Sequence, residues 1–294
     1  MHDNSRKGII LAGGTGTRLA PLTNAVSKQL LPLYNKPMIY YPLTTLMMSG
    51  IKNFLIITTP IDINNFKKLL GDGKKWGISI DYQIQKEPRG IAEAFLIGKE
   101  FIGKSEIVLI LGDNLFFGND LTFKLKKACL QERGATIFAY PVKDPQRYGV
   151  VSFDKNNKAI SIVEKPKKTK SKYAITGLYL YDHNVIDFCE TLKPSERGEL
   201  EISDINQIYL DKEMLNVEVL DTGTAWLDTG TFESLYEAGS LIKTIDNRQS
   251  LKIGYPEEVA WRMGWINDNK LEFLADKYKH NEYGQYLLSL VASE

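Results

Sequence analysis

The chain has 294 residues, of which 43% are hydrophobic and 25% charged, values typical of a folded protein with a substantial buried core. Its 37 lysines and arginines nearly balance 36 aspartates and glutamates, which argues against nucleic acid as a partner because no excess positive charge meets a phosphate backbone. No apolar run approaches the roughly 18–20 residues of a membrane span, and the first residues lack a signal peptide's apolar stretch, so we expect a cytoplasmic protein with no membrane partner.

Strand-like and helix-like segments alternate along the first part of the chain. Strands are predicted at residues 7–12, 54–59, 79–85 and 106–111, and helices at 37–49 (ending at Gly50), 61–70, 91–101 and from a cap at Asp120 to Gly134. Uninterrupted apolar strands that alternate with helices predict a Rossmann-like, doubly wound α/β fold. Its sheet is expected to be mixed but mainly parallel, with helices on both faces.

The pattern changes in the second half of the chain. Strands are predicted at residues 136–140, 149–153, 159–163 and 173–181, and helices at 232–245, 256–265, 268–277 and 282–291. Turn-forming residues at 154–157 join two of these strands, and the lysine-rich segment 165–172 reads as an exposed loop. We therefore expect an α/β domain over residues 1–250 and a helical C-terminal subdomain, residues 251–294, packed on it.

The rare residue types limit the possible chemistry. Cys129 and Cys189 lie in apolar stretches and are expected to be buried core thiols. The three histidines are too few and too scattered for a zinc site or a Ser-His-Asp triad. Any catalysis must therefore come from carboxylates, lysines, arginines and backbone amides.

A glycine-rich loop, GGTG at residues 13–16, directly follows the first predicted strand. Glycines let backbone N–H groups approach an anion closely, and a following helix N-terminus would add a favourable dipole. A Walker A loop is excluded because Arg18 and Leu19 stand where its second glycine and its lysine are required. A dinucleotide fingerprint is excluded because Leu19 replaces its last glycine and the second strand lacks a following acidic residue. The loop is predicted to bind phosphate, with a plain surface turn as the alternative.

Two cations and two carboxylates are candidates for the same chemistry. Arg18 can grip phosphate oxygens bidentately, and Lys28 follows it closely enough to reach a triphosphate. Asp113 ends the most apolar strand, and Asp228 ends a second apolar run, so both suit Mg²⁺ if the fold brings them together. Solvated arginine and lysine side chains and turn or cap aspartates are the alternatives.

The sequence Glu164-Lys165-Pro166 closes another predicted strand. A lysine before proline is expected to be extended and to point at a small anionic ligand. Tyr148 and Gly149 could place a backbone amide near a hydroxylated ligand, although a glycine at a strand start explains this pair almost as well.

Taken together, these segments resemble the sugar-1-phosphate nucleotidylyltransferases, and most closely the thymidylyl-transferring members. The segments are LAGGTGTRL (11–19), SKQLLP (27–32), KPMIYY (36–41), GDN (112–114), EKP (164–166) and WLDTG (226–230), and YGVV (148–151) and RGELEI (197–202) narrow the resemblance further. The resemblance implies Mg²⁺-dependent transfer from dTTP to glucose 1-phosphate in biosynthesis of the dTDP-rhamnose type. It also implies a homotetramer with a product-type feedback inhibitor, for which Arg262 is the candidate contact.

The resemblance also assigns roles to individual residues. It implies catalytic roles for Arg18, Lys28, Asp113, Lys165 and Asp228, with Asp113 and Asp228 holding the metal. It implies nucleotide binding by Leu11, Gly13, Gly14, Thr15, Gly16, Thr17, Gln29, Gln85 and Gly90, and sugar-phosphate binding by Tyr148, Gly149, Glu164 and Lys165. The base-facing stretch departs from the family pattern at Arg89, Ile91 and Glu93, which leaves the choice between thymine and uracil open. The alternatives are a uridylyl- or cytidylyltransferase on the same fold and a non-catalytic nucleotide-sugar-binding regulator.

Overall fold

The computed structural model describes residues 6–14, 16–118, 120–250 and 252–292, and a mixed sheet of nine of their strands forms its centre. The strands are β1 (Lys7–Ala12), β2 (Pro32–Leu33), β3 (Lys36–Pro37), β4 (Asn53–Thr58), β5 (Ser79–Ile84), β6 (Ile107–Leu111), β7 (Asn114–Phe117), β8 (Ala135–Pro141), β9 (Gly149–Phe153), β10 (Ala159–Glu164), β11 (Tyr173–Tyr181), β12 (Leu215–Val219) and β13 (Ala225–Asp228). The helices are α1 (Tyr40–Met48), α2 (Ile63–Leu70), α3 (Glu93–Ile97), α4 (Lys99–Ile102), α5 (Leu121–Cys129), α6 (Val185–Thr191), α7 (Ile202–Asp211), α8 (Phe232–Arg248), α9 (Pro256–Arg262), α10 (Asp268–Asp276) and α11 (Glu282–Ala292).

The main sheet has the strand order β10-β9-β11-β6-β1-β4-β5, and β8 and β12 extend it beside β11. Strands β6, β1, β4 and β5 are parallel to one another, whereas β11 runs antiparallel to β6. Because β1 and β6 are parallel neighbours, the glycine loop and Asp113 follow them at the same edge of the sheet. The fold class predicted from the sequence is confirmed.

Helices cover both faces of the sheet. Along β1, Ile10 and Ala12 contribute to one buried core, which includes side chains of α1, α2 and α5. Ile9 and Leu11 contribute to the other, with side chains of α3, α6 and α7. This alternation explains the unbroken apolar sequence of β1, because residues on both of its faces are buried. Cys129 and Cys189 are both buried free thiols, as predicted.

Three predicted helices have different bounds in the structure. The helix predicted from residue 37 begins at Tyr40, because Pro37 pairs with Pro32 in the small β2–β3 sheet. The helix predicted at 91–101 breaks at Gly98, whose Cα lies so close to the sheet that a Cβ would stand 3.1 Å from Leu55 Cδ2. The helix predicted to reach Gly134 ends at Cys129, and Asp120 precedes it without a side-chain capping bond.

The C-terminal helices form a small core of their own and pack on the α/β sheet layer through α9 and α1. The polar atoms of their aromatic side chains form hydrogen bonds within the chain. Trp261 donates to Asp268, and Tyr286 donates to Glu258. Arg262 also donates to Glu258, so ordinary helix packing accounts for the contacts of these residues. The domain division at residue 250 stays a prediction. None of the helices described is long and apolar enough to cross a membrane.

A buried ion pair joins the N-terminal part of the chain to this C-terminal region. Lys36 Nζ lies 3.3 Å from Asp246 Oδ2 of α8, and both side chains are fully buried. The same ammonium lies 4.1 Å from the ring centroid of Tyr255, which precedes α9. Burial lowers the pKa of Lys36 to about 8, against the opposing influence of Asp246. Asp246 therefore compensates a charge that the surrounding protein disfavours.

We expect Asp246→Asn to lower the free energy of unfolding by about 3–5 kcal/mol, because it leaves Lys36 buried without its counter-charge. Urea denaturation followed by circular dichroism measures this loss. Glu190→Gln is the matched control, since it removes one partner of the exposed Lys99–Glu190 pair and should barely move the midpoint. Equal midpoints for the Asp246 variant and the wild type would show that the buried pair is dispensable.

Candidate active site

A two-stranded ribbon brings Asp113 and Asp228 together. Strand β13 pairs antiparallel with β7, which places Asp228 opposite Asn114. One residue further on, Thr229 donates its N–H and its hydroxyl to the carbonyl oxygen of Asp113, at 3.2 and 2.9 Å. Both aspartates line the same cavity of about 480 Å³.

Asn114 fixes the geometry of this ribbon. Its Oδ1 accepts hydrogen bonds from the backbone N–H of Gly177 (3.1 Å) and from Trp226 Nε1 (2.6 Å). Its Nδ2 donates to Asp113 Oδ1 at 2.9 Å. The side chain is 4% exposed, so these bonds determine which end of the amide faces Asp113.

Asp113 is paired with a cation. Lys28 Nζ lies 2.6 Å from Asp113 Oδ2, and Lys28 is buried. Burial alone would raise the pKa of Asp113, but the Lys28 charge and the hydrogen bonds from Lys28 and Asn114 hold it below its ordinary value. Asp113 therefore stays ionised through the neutral pH range.

The negative charge of Asp228 is less well compensated than that of Asp113. Tyr148 donates its hydroxyl to Asp228 Oδ1 at 3.1 Å, and an Arg147 guanidinium nitrogen lies 3.3 Å from Oδ2. Burial nevertheless raises the pKa of Asp228 above its ordinary value, and the charge of Asp113 adds to this effect. Burial, with the Asp228 charge, also raises the pKa of Tyr148 to about 12. Additional positive charge beside Asp228 would therefore be stabilising.

The donor set fits a hard divalent cation that is bound together with phosphate. Among the described residues no group of three or more histidine, cysteine, aspartate or glutamate side chains forms a metal cage. Mg²⁺ commonly uses one or two carboxylates and takes its other oxygens from phosphate and water. The undercompensated charge of Asp228, close to Asp113, is the kind of electrostatic environment that such an ion satisfies.

The glycine loop forms the wall of a second cavity, of about 340 Å³. The predicted residues that line it are Gly13, Gly14, Gly16, Thr17, Arg18, Lys28, Gln29 and Asp113. Gly14 and Gly16 have φ of +96° and +60°, which favours glycine at both positions. The loop continues into a single 3₁₀ turn, Thr17–Leu19, which is too short to supply the favourable dipole that a following helix would add. Arg18 and Asp113 line both cavities, so the two spaces adjoin.

The predicted sugar-phosphate residues Tyr148, Gly149, Glu164 and Lys165 line the first cavity. Gly149 pairs with Glu164 across β9 and β10, and Ser203 donates its hydroxyl to Glu164 Oε2 at 2.5 Å. A Cβ on Gly149 would stand 2.9 Å from Ser203 Oγ and 3.1 Å from Glu164 Oε2. Glycine at this position therefore keeps the carboxylate in place. Lys165 Nζ lies 3.5 Å from Glu164 Oε1.

The backbone prediction for Lys165 was wrong. We expected an extended residue before Pro166, but Lys165 has φ of +40°, a value uncommon for a residue with a side chain. Its N–H donates to the carbonyl oxygen of Tyr148 at 3.0 Å, which turns the chain at the end of the β9–β10 pairing. Local strain of this kind is often retained where it positions a functional side chain.

Three predicted nucleotide-binding residues do not line either cavity. The side chain of Leu11 is buried in the core beneath one face of the sheet. Gly90, with φ of +102°, lies tightly against the backbone of Leu200, which gives it a packing role. Gln85 is also buried, and its Oε1 lies against Gly13, which does line the second cavity. Thr15 falls outside the described residues.

Sequence reasoning missed several charged and polar residues that line the first cavity. They are Asn114, Arg147, Arg197, Glu199, Glu201 and Ser203. Arg197 lies 2.8 Å from Glu201, 3.2 Å from Glu199 and 3.7 Å from Glu164. The GDN and RGELEI segments contained most of these residues, but nothing except its place beside Tyr148 indicated Arg147.

Positive and negative side chains are balanced around the two cavities. The cations among their described lining residues are Arg18, Lys28, Arg147, Lys165 and Arg197, and the anions are Asp113, Glu164, Glu199, Glu201 and Asp228. The lining residues therefore have no excess positive charge with which to neutralise a polyanionic ligand. This balance is a second feature that suits a bound divalent cation.

Comparison with known proteins identifies the family to which this site belongs. Residues 7–244 match the sequence model described as nucleotidyl transferase. The chain belongs to the nucleotidyl transferase family. Transfer of a nucleotidyl group needs a nucleotide donor and an acceptor side by side, in keeping with two adjoining cavities that share Arg18 and Asp113.

Several full-length relatives carry a more specific name. The chain is 58% identical over 285 residues to a glucose-1-phosphate thymidylyltransferase of Neisseria meningitidis serogroup A, covering 97% of this chain and 99% of the relative. It is 54% identical over 288 residues to one of Mycolicibacterium smegmatis, covering 98% and 100%. A crystal structure of UDP-glucose pyrophosphorylase with UDP-glucose has a TM-score of 0.71, covering 81% of this chain and 98% of that one. At 22% identity, that similarity shows the shared fold.

We expect Asp113→Asn and Arg18→Ala each to lower the turnover of this nucleotidyl transferase by about 10²–10³-fold, because each removes a charge shared by both cavities. Steady-state release of pyrophosphate measures the loss. Asp276→Asn changes an exposed aspartate of α10 and is the matched control, with turnover expected at the wild-type level. Either variant retaining more than about a tenth of wild-type turnover would contradict these assignments.

Proposed function

We propose that the chain transfers a thymidylyl group from dTTP to glucose 1-phosphate, giving dTDP-glucose and pyrophosphate. The observation that carries this proposal is the junction of the two cavities, where Arg18 and Asp113 face both spaces. The names of the full-length relatives support the choice of substrates. The phosphates of both substrates would meet at this junction.

The glycine-loop cavity suits the nucleoside triphosphate. Its lining combines the glycine backbone at Gly13 and Gly14 with the cations Arg18 and Lys28. Backbone N–H groups and these side chains can bind phosphate oxygens, while the Gln29 amide can donate to and accept from a base edge. We assign the nucleotide to this cavity for these reasons.

The larger cavity suits the sugar phosphate. Glu164, held by Ser203, can accept hydrogen bonds from sugar hydroxyls. Lys165 and Arg197 line the same cavity and can bind the single phosphate. Tyr148 and Gly149 complete its wall beside Asp228.

The reaction needs positioning and charge more than it needs a proton acceptor. A phosphate oxygen of glucose 1-phosphate would attack the α-phosphorus of dTTP, and the bond from that phosphorus to the bridging oxygen of the departing pyrophosphate would break. The attacking oxygen is already anionic, so the chain requires no general base and its few histidines are no obstacle. Arg18 and Lys28 would stabilise charge on the leaving pyrophosphate, and Lys165 would orient the attacking phosphate. When bound, Mg²⁺ would be held by Asp113 and Asp228 and would neutralise phosphate charge.

A nucleotide panel tests this function. Pyrophosphate release is measured with glucose 1-phosphate and dTTP, UTP or CTP, with Mg²⁺ and with excess EDTA. We expect the highest kcat/KM with dTTP and no release in EDTA. A clear preference for UTP or CTP would assign the chain to a different nucleotide. No turnover with any of the three would favour a regulator that binds nucleotide sugars.

A second prediction tests the sugar-phosphate cavity. Gly149→Ala should raise KM for glucose 1-phosphate about tenfold and change KM for dTTP little, because the added methyl displaces Glu164 and Ser203. Gly239→Ala in α8 is the matched control, since its Cβ has open space, with Tyr34 N nearest at 3.8 Å. An equal rise in both KM values would indicate that Gly149 does not belong to a site specific for the sugar phosphate.

The assembly and regulation implied by the sequence resemblance also form part of the proposal. We propose a homotetramer with feedback inhibition by a later product of the dTDP-rhamnose type. Size-exclusion chromatography with light scattering tests the assembly, and the turnover assay with added dTDP-rhamnose tests the inhibition.

A further inference from the structure

The amide of Gln85 is held by two hydrogen-bond acceptors. Gln85 Nε2 donates to Glu93 Oε2 at 2.8 Å and to the carbonyl oxygen of Gly90 at 3.2 Å. Gln85 is 6% exposed, so these protein groups, not solvent, determine how its amide lies. Glu93 is at the start of α3, in the stretch where the sequence departs from the family pattern.

The two partners permit only one orientation of this amide. A carboxylate and a backbone carbonyl accept hydrogen bonds but cannot donate them, so the nitrogen must face Glu93 and Gly90. Gln29 differs in this respect, because its partner is the hydroxyl of Ser27, which can donate or accept. The orientation of Gln85 is therefore determined by chemistry, whereas that of Gln29 is adjustable.

This orientation leaves the Gln85 oxygen against Gly13, a wall residue of the nucleotide cavity that Gln85 itself does not line. Gln85 follows β5 at the same edge of the sheet where the glycine loop follows β1, and a Cβ on Gly13 would collide with Gln85 Oε1. Gly13 lines the cavity, as does Pro88 of the segment that follows Gln85. The side-chain hydrogen bonds of Gln85 to other described residues are both made by its nitrogen, so its oxygen is the amide atom that a base N–H group reaching past Gly13 would meet.

The following inference rests on the proposed function. We propose that Glu93 is a positioning residue that selects pyrimidines with an N3–H group. Thymine and uracil carry a donor at N3, which the fixed Gln85 oxygen can accept. Cytosine carries an acceptor at N3, which would face that oxygen without a proton between them. Glu93 thus discriminates against cytosine through Gln85, but it does not distinguish thymine from uracil, which lacks the methyl group.

Three deoxynucleotides separate this role from a merely structural one. We compare kcat/KM for dTTP, dUTP and dCTP in the wild type, Glu93→Gln and Glu93→Leu. The ratio of dTTP to dCTP should fall about tenfold or more in Glu93→Leu and by a smaller, measurable factor in Glu93→Gln, whose amide can present either atom. The ratio of dTTP to dUTP should stay within about twofold, because both bases have the same N3–H.

Ratios of kcat/KM do not change when a variant is only partly folded, so they isolate the effect on base choice. Glu93→Gln keeps the shape of the side chain and provides the test if Glu93→Leu does not fold. Glu100→Gln, an exposed glutamate of α4, is the control and should leave both ratios unchanged. An unchanged dTTP-to-dCTP ratio in the Glu93 variants, or an equal fall in both ratios, would overturn the inference. A wild type that releases no pyrophosphate from dTTP would instead contradict the proposed function.

Discussion

The pairing of β7 with β13 is the constraint on which the rest of the site depends. Asp113 and Asp228 are far apart in the sequence, and only this ribbon places both on one cavity. Thr229 ties the end of β13 to the Asp113 carbonyl, and Trp226 ties its middle to Asn114. Since these bonds come from backbone and buried side chains, the two carboxylates are held before any ligand arrives. Such preorganisation suits a reaction that depends on charge placed correctly in advance.

Electrostatic balance links this geometry to the chemistry. Lys28 pairs with Asp113, and Arg147 pairs with Asp228, so the principal cations and carboxylates of the site compensate one another. Phosphate groups must compete with the aspartates for those cations. A divalent cation on the two carboxylates would free Lys28 and Arg147 to bind phosphate. Occupation of the carboxylates and binding of the nucleotide are therefore coupled in this account.

Local patterns in the sequence predict the fold class, and they indicate many of the residues that line the two cavities. The glycine loop after β1 and the aspartate after β6 can be predicted from the sequence because each lies in a short motif at a strand end. The conformation of Lys165 could not be read, because it follows from the β9–β10 pairing that turns the chain there. The contact of Arg147 with Asp228 could not be predicted from the sequence either, since folding brings these distant residues together. Non-local pairing accounts for each of these omissions.

The most direct test of the account is a double-mutant cycle on metal-dependent nucleotide binding. Isothermal titration calorimetry would measure dTTP affinity with and without Mg²⁺ for the wild type, Asp113→Asn, Asp228→Asn and the double variant. If one ion bridges both carboxylates, each single variant should remove most of the Mg²⁺-dependent gain in affinity, and the double variant should remove little more. Losses that add fully in the double variant, or a wild-type affinity that does not respond to Mg²⁺, would contradict a shared metal site.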